Sequence, residues 1–388
     1  MMAMGENQSR VKAAAIGVSA PPRAVGSGQQ AVQLLLGVLR GQSWFIVLAL
    51  SYMLLGYVLS RLYDHPFSLL LYSRFHVAVY LALIVTFLVA RTARIIFKHR
   101  PERPLTFVWN DLMGRYRVPK RILYGLPALL LLPLAHSAHT SLKLLIPVIS
   151  PFAWDEALAK FDTAVHGGTA PWELLQPVIG TPWITHWIDY LYGPPWFWMM
   201  IFMQFWFTFT LDSQRHRFLV TYFLCWLLLG SVLATLLSSG GPVYYGQFIE
   251  GPDPFVPLFS YLDSVADSHR MLARLSQDYL WQAHIERNLS LGVGISAMPG
   301  MHISVGFLFV LVTWRLHWLF RVVSVSYLII LQIGSVHLGW HYAIDGYASI
   351  VGTYAIWWAV GRALEWRERR LADLPAQSEP VDEDSLAR

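Results

Sequence analysis

The sequence predicts an all-α, polytopic integral membrane protein with about eight transmembrane helices. Of its 388 residues, 55% are hydrophobic and 14% charged, whereas a soluble domain carries about 25% charge. Apolar runs recur at about 18 to 20 residues, the length at which a helix crosses a bilayer's hydrocarbon layer. The loops between these runs alternate between basic and acidic, which gives the spans a consistent direction.

Residues 1–33 are polar and small, with Arg10, Lys12 and Arg23 among them, and read as a disordered cytoplasmic tail. They lack an early apolar core, so no cleavable signal peptide is expected. Residues 34–121 read as an added transmembrane hairpin, with spans near Ser43 to Ser60 and Phe67 to Ala90, followed by a basic cytoplasmic loop. That loop, Arg91 to Arg121, has nine Lys or Arg against Glu102 and Asp111, the strongest positive-inside signal in the chain. Residues 122–366 read as a six-helix core. Its spans lie near Ile122 to Ile146, Trp183 to Leu211, Phe218 to Leu237, His302 to Trp314, Val322 to Gly339 and Tyr347 to Trp366. Residues 367–388 read as a second disordered cytoplasmic tail. Both termini are then cytoplasmic.

Two segments of the core do not span. Between Pro151 and Pro182, Phe152, Trp154, Leu158 and Phe161 recur at helical spacing, which predicts an interfacial helix, a Gly-Gly turn and a second short helix. The stretch from Ser238 to Pro299 is too long for a structureless connection and reads as a cap or lid. Seventeen Trp and eighteen Tyr suit interfacial belts, and Tyr244 and Tyr245 are expected as interfacial anchors. The net charge of +5 fits cytoplasmic anchoring better than nucleic acid, because the cations flank apolar runs. One cysteine, Cys225, leaves no disulfide and no Cys-based metal site.

The chemistry-bearing stretch runs from Met298 to Asp345. It opens MPGMHIS, with His302, and ends HLGWHYAIDG, with His341 and Asp345. The two apolar runs between, joined by a basic turn at Arg315, His317 and Arg321, form a helical hairpin that returns His341 to the membrane face where His302 began. His341 and Asp345, four apart, share one helical face with Cβ atoms about 5 to 6 Å apart. Ionisable residues inside a membrane read as functional.

MPGMH followed some forty residues later by HYAID resembles the second and third signature motifs of the type 2 phosphatidic acid phosphatase superfamily. More narrowly, these motifs resemble the inositol phosphorylceramide synthase (aureobasidin-resistance) branch, as do KLLIP, PFAWDEALAKFD and HGGTAPWELLQP upstream. The resemblance covers roughly Ile122 to Trp366. The superfamily's first motif, a Lys and an Arg-Pro pair, is not recognisable, and Gly334 and Ser335 stand where an Arg usually follows a Ser.

The resemblance implies a lipid phosphotransferase or phosphatase working through a phosphohistidine intermediate, with no cofactor. Its partners would be a phospholipid donor, a lipid alcohol or water, and the bilayer. His341 would be the nucleophile, Asp345 the group that fixes its tautomer, and His302 the general acid. Gly300, at a helix start with free N–H groups, would help hold the phosphate. The missing cations would come from Lys143, on one face of its span with His136 and His139, or from Arg270 and Arg274 in the capping stretch. Lys143 could equally snorkel to headgroups, and the arginines could lie on a solvated face. His337 reads as a helix-packing hydrogen bond and Asp155 and Asp162 as braces of the interfacial helix. The site would face the extracytoplasmic side. Two other readings stay open: a metal enzyme with His302, His337, His341 and Asp345 as ligands, and a lipid transporter or scaffold.

Overall fold

The computed structural model describes residues 27–372, and the regular structure among them is helical throughout. Most of both expected tails lies outside the described residues. Helix nevertheless reaches further at each end than the sequence reading placed it, starting at Ser27 and ending at Ala372.

Among the described residues, fifteen helices of seven or more residues follow in order. Three belong to the N-terminal region: α1 (Ser27–Gly41), α2 (Ser43–Leu62) and α3 (Ser73–His99). A seven-residue α4 (Pro104–Asn110) leads through a π turn to α5 (Val118–Ile149). The non-spanning pair is α6 (Asp155–Val165) and α7 (Pro171–Ile179). Next come α8 (Pro182–Tyr192), α9 (Pro194–Phe209) and α10 (Gln214–Leu236, with a π segment from Cys225 to Leu233). The capping stretch contributes α11 (Val256–Ser268) and α12 (Leu272–Ile285), and the chain ends in α13 (Met301–Thr313), α14 (Trp318–His337) and α15 (Ala343–Ala372).

Among the described residues, α2, α3, α5, α10 and α14 are long and apolar enough to cross a membrane. The other three expected spans are helical too. The one expected from Trp183 to Leu211 is two helices meeting at Gly193, because Pro194 and Pro195 follow it: proline lacks an N–H and pushes its predecessor out of the helical region. Helix α13 has only thirteen residues, about 20 Å at 1.5 Å per residue against a hydrocarbon layer of about 30 Å. It is too short to cross that layer by itself, and its first turn carries His302. Helix α15 has thirty residues.

Helix α5, with thirty-two residues, is the central post. Pro127, Pro133 and Pro147 interrupt its hydrogen-bond ladder. Ser137 Oγ donates to the Pro133 carbonyl at 2.8 Å and Ser141 Oγ to the Ser137 carbonyl at 3.1 Å, so local hydroxyls take up carbonyls along the helix. The N-terminal hairpin is joined to this post by polar contacts as well as by packing. The Tyr72 N–H donates to Ser137 Oγ (3.0 Å) and the Ser68 N–H to Ser141 Oγ (3.3 Å). Although the sequence reading set this hairpin apart from the core, Phe45, Ala49, Tyr52, Val79 and Tyr80 belong to the same buried cluster as the core helices.

Candidate active site

One end of the bundle encloses a cavity of about 480 Å³. Helix α5 gives it a stripe of His136, His139, Thr140 and Lys143; α13 gives Met301 and His302; and the α14–α15 turn gives Trp340 and His341. Residues 291–296 and Leu272, Ala273, Ser276, Tyr279 and Leu280 of the capping stretch also line it, and Tyr72, Phe75 and His76 come from the N-terminal hairpin. The cap expected from loop length is thus a wall of the cavity.

His341 Nδ1 lies 3.3 Å from Asp345 Oδ2, a long hydrogen bond. The same oxygen accepts from the Tyr342 N–H at 3.1 Å. Asp345 is fully buried, and its Oδ1 has no partner among the described residues. With Nδ1 turned to the carboxylate, Nε2 is the nitrogen free to attack. The His302 ring is stacked between Tyr192 (centroids 4.5 Å, 12° between planes) and Trp196 (4.0 Å, 28°). Trp196 Nε1 also donates to the His302 carbonyl at 3.1 Å. Sequence reasoning missed both aromatic walls. Their only signal is the aromatic density of Tyr192 to Trp198, which any interfacial belt shares.

Lys143 lines the same cavity as His302 and His341, and its ammonium has no hydrogen-bond or ion-pair partner among the described residues. Gly294 makes room for its stem. With φ of +101°, a Cβ there would sit 2.8 Å from Lys143 Cγ, so only glycine lets the loop cross here.

The other proposed binding groups are not brought to the cavity in that form. Arg274 pairs with Asp263 (2.7 Å) and reaches Gln277 Oε1 (2.9 Å), Arg270 is exposed, and neither lines the cavity. The expectation for both arginines is corrected: the acidic cap neutralises one and solvent takes the other. The Gly300 amide is not free either, since it donates to the Asp345 carbonyl at 3.4 Å. It ties α13 to α15, and the His341 ring packs beside it, at ordinary contact distance (3.6 Å) from where a Cβ would be. The amides of Met301 and His302, in the helix's first turn, are the ones left without intrahelical acceptors.

Three aspartates brace this arrangement, each accepting two successive backbone N–H groups from a distant segment. Asp155 receives Gly240 (2.7 Å) and Gly241 (2.8 Å), plus the Tyr342 hydroxyl (2.9 Å). Asp162 receives Ala343 (3.0 Å) and Ile344 (3.1 Å) at the start of α15. Asp189 receives Leu272 (2.6 Å) and Ala273 (2.8 Å) at the start of α12. Burial pushes the Asp155 and Asp162 carboxyls up, and these backbone donors pull them back. Asp155 and Asp162 thus brace the three residues that follow His341 and the Gly240–Gly241 turn, not their own helix as the sequence suggested. Tyr244 and Tyr245 are likewise buried instead of interfacial. Tyr244 donates to the Gln277 carbonyl at 2.8 Å and lines the cavity.

His337 packs as expected, its Nε2 2.8 Å from Thr185 Oγ1 and its ring fully buried. It is therefore turned away from His341. Among the described residues no three His, Cys, Asp or Glu side chains form a group able to hold a metal ion.

A membrane-embedded His–Asp pair, a second histidine and an unpaired lysine around one cavity define a site for an anionic ester. The chain belongs to the PAP2 superfamily, whose family model matches residues 156–359, a span that holds His302, His341 and Asp345. It is accordingly a phosphatase-type lipid phosphoesterase of the membrane. No curated protein and no solved structure matches the chain. Lys143, His139 and Asp155 lie outside the matched span.

Proposed function

We propose that the protein transfers a phospho-headgroup between lipids through a phosphohistidine on His341, as the resemblance to the inositol phosphorylceramide synthase branch suggests. The observation that carries this reading is the His341–Asp345 contact of 3.3 Å opening onto the cavity that His302 and Lys143 also line. His341 Nε2 attacks phosphorus, and the bond to the leaving oxygen breaks as His302 supplies its proton. Asp345 holds the Nδ1–H and steadies the charge that develops on the ring. Lys143 and the first amides of α13 face the charge that grows on the phosphoryl oxygens. The oxygen of an acceptor hydroxyl then attacks the phosphorus, the bond to His341 Nε2 breaks, and the hydroxyl proton passes to His302, so that the phospho-headgroup is transferred and both histidines are restored; the active site faces the extracytoplasmic side.

The test is incubation of purified protein with labelled phospholipid donors and several lipid alcohols, with products read by mass and the phosphoenzyme trapped in acid-free gels. Label on His341 and a labelled acceptor product are expected, and His341→Ala should lose both. Wild-type turnover by a folded His341→Ala protein would sink the mechanism. Activity should also survive excess chelator; loss on chelation with recovery on adding back one metal would favour a metal enzyme.

A further inference from the structure

Besides His302 and His341, the cavity is lined by His76, His136 and His139, which the mechanism above leaves without a role, and His139 is the one of these nearest in sequence to Lys143. It sits one turn before Lys143 on α5, is 6% exposed and belongs to the cavity wall. Its Nδ1 is 3.0 Å from the Tyr52 hydroxyl of α2 and 3.3 Å from Ser231 Oγ in the π segment of α10. The two hydroxyls are themselves 2.7 Å apart, and Ser231 Oγ donates to the Trp226 carbonyl at 3.2 Å.

One arrangement of the protons satisfies all these contacts and leaves Nε2 with a lone pair: Ser231 gives its hydroxyl proton to the Trp226 carbonyl, Tyr52 gives its own to Ser231, and the His139 Nδ1–H donates to Tyr52. Nε2 has no hydrogen-bond partner among the described residues, and its ring lines the cavity. Its ring is held edge-on by Trp226, with centroids 4.7 Å apart. The absence of a side chain at Gly230 leaves space for it: a Cβ there would lie 3.1 Å from His139 Cε1 and 3.3 Å from Met301 Sδ. The ring thus lies beside the residue that precedes His302.

A fixed acceptor nitrogen in an apolar chamber, beside an ammonium that repels cations, is a receptor for a neutral O–H donor. We propose that His139 Nε2 accepts the hydroxyl of the acceptor lipid, so that this ring holds an alcohol in place for transfer. Tyr52 and Ser231 act as positioning residues that keep the tautomer. The inference rests on the transfer reading of the site. Water is in bulk excess and needs no held position, whereas a dilute lipid alcohol does, so the contact favours transfer over hydrolysis.

The experiment measures donor hydrolysis without acceptor, and transfer to a long-chain alcohol over a range of its concentrations, in wild type, His139→Phe and Tyr52→Phe. Gel filtration in detergent checks that each variant is monodisperse. His139→Phe should raise the acceptor KM about ten-fold, the usual worth of one neutral hydrogen bond, while donor hydrolysis stays within about two-fold. Tyr52→Phe, which does not reach the substrate, should move the acceptor KM in the same direction by less. Equal loss of hydrolysis and transfer in His139→Phe, or an unchanged acceptor KM in both variants, overturns the proposal. A wild type that hydrolyses through His341 but transfers to no alcohol also overturns it, and leaves the phosphohistidine reading standing.

Discussion

At Lys143 an ammonium faces a cavity with no anion to neutralise it, while Arg274 is already paired with Asp263. If preorganised charge is what stabilises the phosphoryl oxygens, the two cations should behave differently. Lys143→Met should cut turnover by about 10² to 10³ fold, the usual range for removing one such group. Arg274→Met and Arg270→Met should stay near wild type, because exposed pairs contribute about 0 to 1 kcal/mol. Steady-state rates on one labelled donor, at matched expression, decide this; a Lys143→Met enzyme of normal rate would hand the role to the amides of Met301 and His302. Asp345→Asn should be about 10⁴ fold down by analogy with other His–Asp pairs, since Asn would hold the wrong tautomer. That His302 and His341 line one cavity and that His341 meets Asp345 was legible because the spacing is local or carried by a motif. The contacts of His139 and the stacking of Tyr192 and Trp196 on His302 were not. Their meaning lies in partners such as Tyr52, 87 residues away, and His302, 106 residues away.

Among the elements, the short helices matter most for the site, although they cross nothing. Helix α6 puts one carboxylate under the Gly240–Gly241 turn and another under the start of α15. Asp162→Asn would set an amide N–H₂ against one of two backbone donors and leave that donor unsatisfied in a buried place. Destabilisation of about 1 to 3 kcal/mol is expected, read as a lower thermal midpoint in detergent together with a loss of rate. A variant with an unchanged midpoint would mean that the α15 start is held by packing alone. Hydrophobic runs announced the long helices, and α2, α5, α10 and α14 fall close to where those runs put them, whereas α3 runs from Ser73 to His99 against an expected Phe67 to Ala90. The break at Gly193 was missed because the apolar run continues through it, and the Pro-Pro pair that forces it was read as part of one span. Asp189 carried no local signal: its paired donors, Leu272 and Ala273, come from a helix 83 and 84 residues later.

For the molecule as a whole, the N-terminal hairpin lies before the matched family span, yet Tyr72, Phe75 and His76 line the cavity and the Tyr72 hydroxyl accepts from the Gly292 N–H at 2.8 Å. A chain lacking residues 1–121 should therefore express poorly or turn over little, by rate per folded molecule; full activity in the shortened chain would show that the hairpin only decorates the core. The orientation has its own check. In a background with Cys225 replaced by Ser, Ser264→Cys should react with an impermeant thiol reagent from outside and Gly114→Cys should not, with the reverse pattern inverting the topology. The brevity of α13 has a consequence for the host membrane. A helix of thirteen residues that starts at Met301 falls about 10 Å short of the hydrocarbon layer, so either a substrate phosphate sinks below the ordinary headgroup plane or the bilayer thins around the site. Either costs fractions of a kcal/mol per Å of mismatch. Acyl-chain length should then act as a rate control: vesicles of short-chain phosphatidylcholine should support faster turnover than long-chain ones at equal substrate fraction, and the lipid thickness of its compartment would be part of how this enzyme is tuned.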